Sequence, residues 1–126
     1  MNEPDPATRF LDRSSVLVVE DEAIISFLIE DMLVDFGATD VRHAATLAAA
    51  QAELDSWQPD LAVLDVNLGG ERVYPVAERL EAAGVRFVFT TGYGKSGMDP
   101  RWSAHTVVQK PFDVVTMAAA LKAVLN

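Results

Sequence analysis

The sequence predicts an α/β fold, doubly wound about a five-stranded parallel sheet, and three observations predict it. Short β-branched apolar runs alternate along the chain with segments of helical periodicity. The runs around Val63 and Val88 are apolar nearly throughout, as strands covered by helices on both faces are. The order reads β-α-β-α-β-α-β-loop-β-α, which implies parallel strands joined by helical crossovers.

Residues 1–13 are polar, contain Pro4 and Pro6 among acids, and read as a flexible lead-in to a domain over 14–126. SVLVVED (15–21) is a short strand ending in two acids. Residues 22–36 carry a helical pattern that places Ile25, Leu28, Ile29, Met32 and Phe36 on one face, and Gly37 stops it. DVRHA (40–44) is a weak strand. Residues 46–57 form a helix with Thr46 as N-cap, and 60–65 a buried strand. Residues 71–84 are helical; Pro75 fits only in a first turn, so that helix begins near Val73 or Tyr74. Residues 85–92 are a strand. Gly94, Gly97 and Pro100 leave 93–105 with an irregular or much reduced helix. Residues 106–109 form the fifth strand, and 113–125 a last helix capped by Asp113.

Composition narrows the function. A formal charge of −9 argues against a binder of nucleic-acid phosphates. The absence of cysteine excludes disulfides and thiolate metal sites and suits a cytoplasmic protein. No run approaches the roughly 18 apolar residues of a membrane span, and the N-terminus lacks the apolar core of a signal peptide.

In a doubly wound sheet every strand C-terminus opens onto one edge, where ligands bind. The first strand delivers Glu20 and Asp21 there, the third Asp65, the fourth Thr90 and Thr91, the fifth Gln109, Lys110 and Pro111. A lone aspartate at a strand end is ordinarily a turn or cap residue. Three carboxylates in one pocket repel strongly, however, and a hard divalent cation with oxygen ligands relieves that. Lys110 adds a point charge able to meet an anion. Asp65 then has the setting of a nucleophile toward a phosphoryl group.

Taken in order, VVEDE, AVLDVNL, FTTGY and VVQKPF resemble the receiver domain of two-component response regulators, over about residues 14–125. The resemblance implies the flavodoxin-like receiver fold and a phosphoacceptor at Asp65. It also implies Mg²⁺ ligated by Asp21 directly, by Glu20 mainly through water, by Asp65 and by the backbone carbonyl of Asn67. Thr91 matches the switch hydroxyl, Lys110 the phosphate-binding lysine, and Pro111 the proline whose preceding bond is usually cis. Strand alternation admits only one of Thr90 and Thr91 to the site, and Thr91 is the choice. The phosphoryl donor would be a histidine kinase or a histidine phosphotransfer protein.

Two places depart from that family. The loop after the acceptor is the short NLGGER, and Val107 stands where an aromatic switch residue is common. Tyr93 is the candidate substitute, at the pocket mouth. FTTGY partly matches an atypical single-domain group with a Phe-Ala-Thr-Gly-aromatic signature. The chain ends at Asn126 directly after the last helix, so a stand-alone receiver that signals through a downstream protein is expected.

Ile24, Phe27 and Val34 lie off the apolar stripe of the first helix and are expected to dock a kinase or phosphotransfer helix, or to form a homodimer contact. His43 and His105 are expected to be structural, and Trp57 and Trp102 to be packing residues. Two rivals remain. An aspartyl-phosphate phosphatase usually wants a second acid two residues after its nucleophile, where this chain has Asn67. A pseudo-receiver would be an interaction module that is never phosphorylated.

Overall fold

The computed structural model of the chain describes residues 9–93 and 97–125. The first apolar run forms β1 (Ser15–Val19), followed by α1 (Ala23–Asp35), β2 (Asp40–Ala44) and α2 (Leu47–Ser56). β3 (Leu61–Asp65) leads into a small antiparallel hairpin of β4 (Asn67–Leu68) and β5 (Glu71–Arg72), then α3 (Tyr74–Ala82). β6 (Arg86–Thr91), a 3₁₀ turn (Pro100–Trp102), β7 (Val107–Gln109) and α4 (Val114–Leu125) complete the chain. Expected and observed ends differ by one or two residues, as they do when strands and helices fray.

The sheet order is β2-β1-β3-β6-β7, and every pairing is parallel. The chain starts at β1, winds outward to β2, then crosses back to β3. The reversal puts the topological switch point between the C-terminal ends of β1 and β3. Alternation divides the core into two layers. Leu17, Val19, Ala62, Leu64, Phe87 and Phe89 pack with α2 and α3. Val16, Val18, Leu61, Val63, Val88 and Val108 pack with α1 and α4. Thr46 caps α2 by accepting the Ala49 N–H at 3.0 Å, and Asp113 accepts the Thr116 N–H at 2.8 Å before α4.

The fourth helix is reduced as expected: a short 3₁₀ turn, Pro100–Trp102, lies between β6 and β7. An aromatic cluster holds it. Trp102 is fully buried and stacks on Tyr74 of α3, rings 5.9 Å apart and inclined by 6°. The Tyr74 hydroxyl accepts the Asp99 N–H at 2.9 Å. His105 lies flat against Phe87 at 5.1 Å.

Two expectations need correction. Residues 9–13 are not a free lead-in: Leu11 is completely buried, its N–H donates to the Phe36 carbonyl at 2.9 Å, and the Phe10 ring lies 4.9 Å from that of Phe36. Gly37 permits this docking. Its φ is +110°, and a Cβ there would sit 2.9 Å from the Asp12 backbone. Residues 1–8 lie outside the described residues. The buried stripe of α1 is Ser26, Ile29 and Leu33, continued by Phe36, with Ile25 and Met32 half-buried. Leu28, expected in the core, is 52 % exposed. Ser26 tolerates burial because its hydroxyl donates to Glu30 Oε2 at 3.1 Å.

Candidate functional site

β1 runs directly into Glu20, whose side chain is buried at the switch point. One carboxylate oxygen accepts the Glu22 N–H at 3.1 Å; the other accepts from Lys110 Nζ at 3.0 Å. Asp21, next in the chain, is exposed. Asp65 ends β3, and its side chain is only 6 % exposed. Its Oδ2 lies 3.4 Å from Lys110 Nζ, and Oδ1 accepts the Asn67 N–H at 3.4 Å. Glu20, Asp21 and Asp65 each bring a carboxylate oxygen within 4.8 Å of the other two. The donor set is all oxygen and acidic, which fits a hard divalent cation rather than a soft one.

Electrostatics follow from this crowding. Burial, then the neighbouring Glu20 carboxylate, push the Asp65 carboxyl up to about 7, against the opposing pull of Lys110. Burial alone would lower the Lys110 pKa. The hydrogen bond to Glu20 and the charges of Asp65 and Glu20 outweigh it, so Lys110 is held above its usual value and stays charged.

Thr91 ends β6, and its hydroxyl accepts the Tyr93 N–H at 3.1 Å. The Thr91 carbonyl accepts the Lys110 N–H at 2.8 Å, which ties the threonine to the lysine through the backbone. Thr90 pairs with Asp65 in the sheet and is fully buried, its hydroxyl without a hydrogen-bond partner among the described residues. An open cleft of about 330 Å³ lies at this edge, lined by Asp65, Asn67, Thr91, Tyr93 and Lys110 together with Glu22 and Gly92. Tyr93 stands at its lip, 71 % exposed. The Lys110–Pro111 bond is cis, as the family resemblance implies. Val107 is half-buried against the α2/α3 layer.

The short loop after Asp65 has a definite form. Gly69 and Gly70, at φ +59° and +95°, make the two-residue turn of the β4–β5 hairpin, a geometry that needs positive φ at both positions. The turn is braced by the Gly70 N–H donating to Asn67 Oδ1 at 3.1 Å. A Cβ on Gly69 would lie 3.9 Å from Asp21 Oδ2, so the hairpin tip sits against the acidic turn.

Sequence reasoning missed three features. Glu22 joins the cleft; the third acid of VVEDE was its only signal. His43 places Nε2 2.7 Å from the Glu20 carbonyl oxygen. The expected docking residues Ile24, Phe27 and Val34 are exposed, and so are three further large apolar residues, Leu28 of α1 and Val114 and Val115 of the first turn of α4. His105 belongs to the aromatic cluster and lies 3.5 Å from Glu81, away from the cleft.

An aspartate ending the third strand of a parallel sheet, set between an acidic turn and a lysine just past the last strand, defines a receiver. The chain belongs to the response regulator receiver domain family, which matches residues 16–122. It is a signalling domain of two-component systems. Among solved structures the chain is similar to SdrG from Sphingomonas melonis Fr1, at 42 % identity and TM-score 0.81, over 90 % of this chain and 97 % of that one. It is similar, at 41 % identity and TM-score 0.78 over 91 % and 98 % of the two chains, to the BeF3-activated conformation of SdrG, from Pseudomonas melonis Fr1. The receiver domain of PhyR from Erythrobacter litoralis shares 27 % identity at TM-score 0.76, over 91 % and 92 %. None of the curated proteins matches the chain. Among the described residues no helix is long and apolar enough to cross a membrane.

Proposed function

We propose that this receiver takes a phosphoryl group from the phosphohistidine of a histidine kinase or phosphotransfer protein onto Asp65. The observation that carries the reading is the placement of Asp65: a buried carboxylate 3.4 Å from Lys110 Nζ, within 4.8 Å of two further carboxylates, at the open edge of the sheet. Asp21, Asp65 and the Asn67 carbonyl would hold Mg²⁺, with Glu20 acting through water. The bound ion would neutralise the acidic cluster and the phosphoryl oxygens.

An Asp65 carboxylate oxygen attacks phosphorus in line; the O–P bond forms as the N–P bond breaks, and the imidazole leaves with its electron pair. Lys110, released from Asp65, pairs with a phosphoryl oxygen. The Thr91 hydroxyl turns from accepting the Tyr93 N–H to donating its own proton to another phosphoryl oxygen. That exchange couples the acceptor to the segment after β6, so phosphorylation shifts a two-state equilibrium around Thr91, and Tyr93 and Pro111 modulate it. The donor would dock on the exposed apolar surface of α1, at Ile24, Phe27 and Val34, extended by Leu28, Val114 and Val115. Output passes to a downstream protein by contact. The unit would act as a stand-alone receiver.

Acetyl phosphate or beryllofluoride with Mg²⁺ tests the reading. An adduct is expected on the wild-type chain, read by intact mass or amide shifts around Asp65, and none on Asp65→Asn. If wild type and variant behave alike, the chain is a pseudo-receiver, an interaction module that is not phosphorylated.

A further inference from the structure

We propose that His43 is a positioning residue for the cation site, an inference that rests on the receiver reading above. Its side chain lies outside the acidic cluster, and its one contact there is to a main-chain atom. His43 is the fourth residue of β2 and pairs with Val18. Alternation puts it on the α1 face of the sheet with Val41, which packs against that layer. From there Nε2 reaches the Glu20 carbonyl oxygen at 2.7 Å, the short end of the range for N–H···O bonds. A carbonyl only accepts, so Nε2 carries the proton and donates.

The consequence is a clamp on one peptide unit. The Glu20 N–H donates to the Ala44 carbonyl at 3.1 Å, so β2 holds the residue by its amide and, through His43, by its carbonyl. The Glu20 carboxylate is held separately, by Glu22 N–H and Lys110. Asp21 has no such support: among the described residues its carboxylate makes no hydrogen bond or ion pair. The Glu20 carbonyl and the Asp21 N–H belong to one planar unit. Fixing that carbonyl therefore fixes the plane from which the Asp21 side chain departs, and with it the spot where its oxygen meets those of Glu20 and Asp65. His43 thus pre-positions the least supported ligand of the three. The ring is exposed, so in its absence water can enter its place and meet the Glu20 carbonyl, and the fold is expected to survive its loss.

The test separates donor geometry from bulk. Gln carries its amide NH₂ at about the reach of Nε2, whereas Asn is one bond shorter and Ala has no donor. Mg²⁺ dissociation constants are measured on metal-free wild type, His43→Ala, His43→Asn and His43→Gln by titrating the amide shifts of residues 19–22 and 65–67. Thermal midpoints are recorded beside them. Ala and Asn are expected to weaken Mg²⁺ about tenfold, the lower end for partners one step removed from a metal ligand, and Gln to stay within about twofold of wild type, with midpoints little changed. Unchanged affinity in His43→Ala overturns the role, as does His43→Gln binding as weakly as His43→Ala. A wild-type chain that binds no Mg²⁺ overturns the receiver reading and this inference together. One that forms the beryllofluoride adduct while His43→Ala keeps full affinity overturns the inference alone.

Discussion

Replacing Asp65 by Asn should stabilise the metal-free protein, and by a margin that grows with pH. The carboxyl ionises near 3.8 in an unfolded chain and is pushed up to about 7 in the fold by burial and by Glu20. An acid whose folded pKa lies above its unfolded one opposes folding once ionised. The penalty is absent below about pH 4, builds as pH rises, and is complete above about pH 7. A shift of roughly three units at about 1.4 kcal/mol each sets the ceiling near 4 kcal/mol. Lys110 and Glu20 remain as a pair 3.0 Å apart after the substitution and relax around the amide. A plateau of about 2–4 kcal/mol is therefore expected, reached at about pH 7. Urea unfolding with a chelator present, from pH 5 to pH 8, followed by tryptophan fluorescence, measures it. Mg²⁺ at a hundred times its dissociation constant should return about 2.7 kcal/mol to wild type and less to the variant, narrowing the gap. A gap that does not change with pH, or a variant less stable than wild type at pH 8, refutes the electrostatic account of the site.

Trp102→Ala should cost about 3–5 kcal/mol in the same urea experiment, because the indole is fully buried between α3 and β6; a cost below about 1 kcal/mol would mean that the cluster does not anchor the turn. Tyr93→Ala should speed loss of the phosphoryl group on the order of threefold, under about 1 kcal/mol of barrier, since the ring at the cleft lip hinders the attacking water. An equal or slower rate in single-turnover decay counts against it. Phe27→Ala should slow phosphotransfer from a phosphorylated histidine protein about tenfold, as loss of an aromatic anchor does, while leaving phosphorylation by acetyl phosphate unchanged. Equal loss with both donors would place the defect in the site instead of the docking surface.

The sheet was legible because its three central strands are buried on both faces. Runs such as LAVLD need no phase to be recognised, and helical segments between them leave only parallel crossovers. The rotation of α1 was not legible for the opposite reason. Apolar residues at 24, 25, 27, 28, 29, 32, 33, 34 and 36 encircle the helix, so periodicity favours no one face. Packing against the sheet chose the stripe through Ser26, a residue whose polarity argued against it. The docking of Leu11 left no pattern either, since two apolar residues in a polar segment carry no period. The hairpin after Asp65 was not expected: NLGGER was read as a short loop, and strands of two residues are too short to alternate visibly.

The site divides in the same way, along chemical lines. The side chains brought together at strand ends, Glu20, Asp21, Asp65, Thr91 and Lys110, were visible because a parallel sheet gathers those ends at one edge. His43 was invisible because it acts on a backbone carbonyl, and every residue has one. The aromatic cluster shows a third case. The position where receivers often carry an aromatic residue holds Val107, yet ring contacts are dense nearby: Phe89 of β6 meets Trp102 at 5.9 Å and Tyr74 at 6.2 Å. Trp102 stacks in turn on Tyr74, and Arg101 pairs with Glu78 and Glu81 of α3. Phe89 lies two residues before Thr91 on the same strand and the same face. A displacement of Thr91 that carried the end of β6 with it would press on this cluster and, through Tyr74 and Arg101, on α3. The rings that could relay such a movement are therefore packed beneath the strand, where single-residue motif comparison does not look.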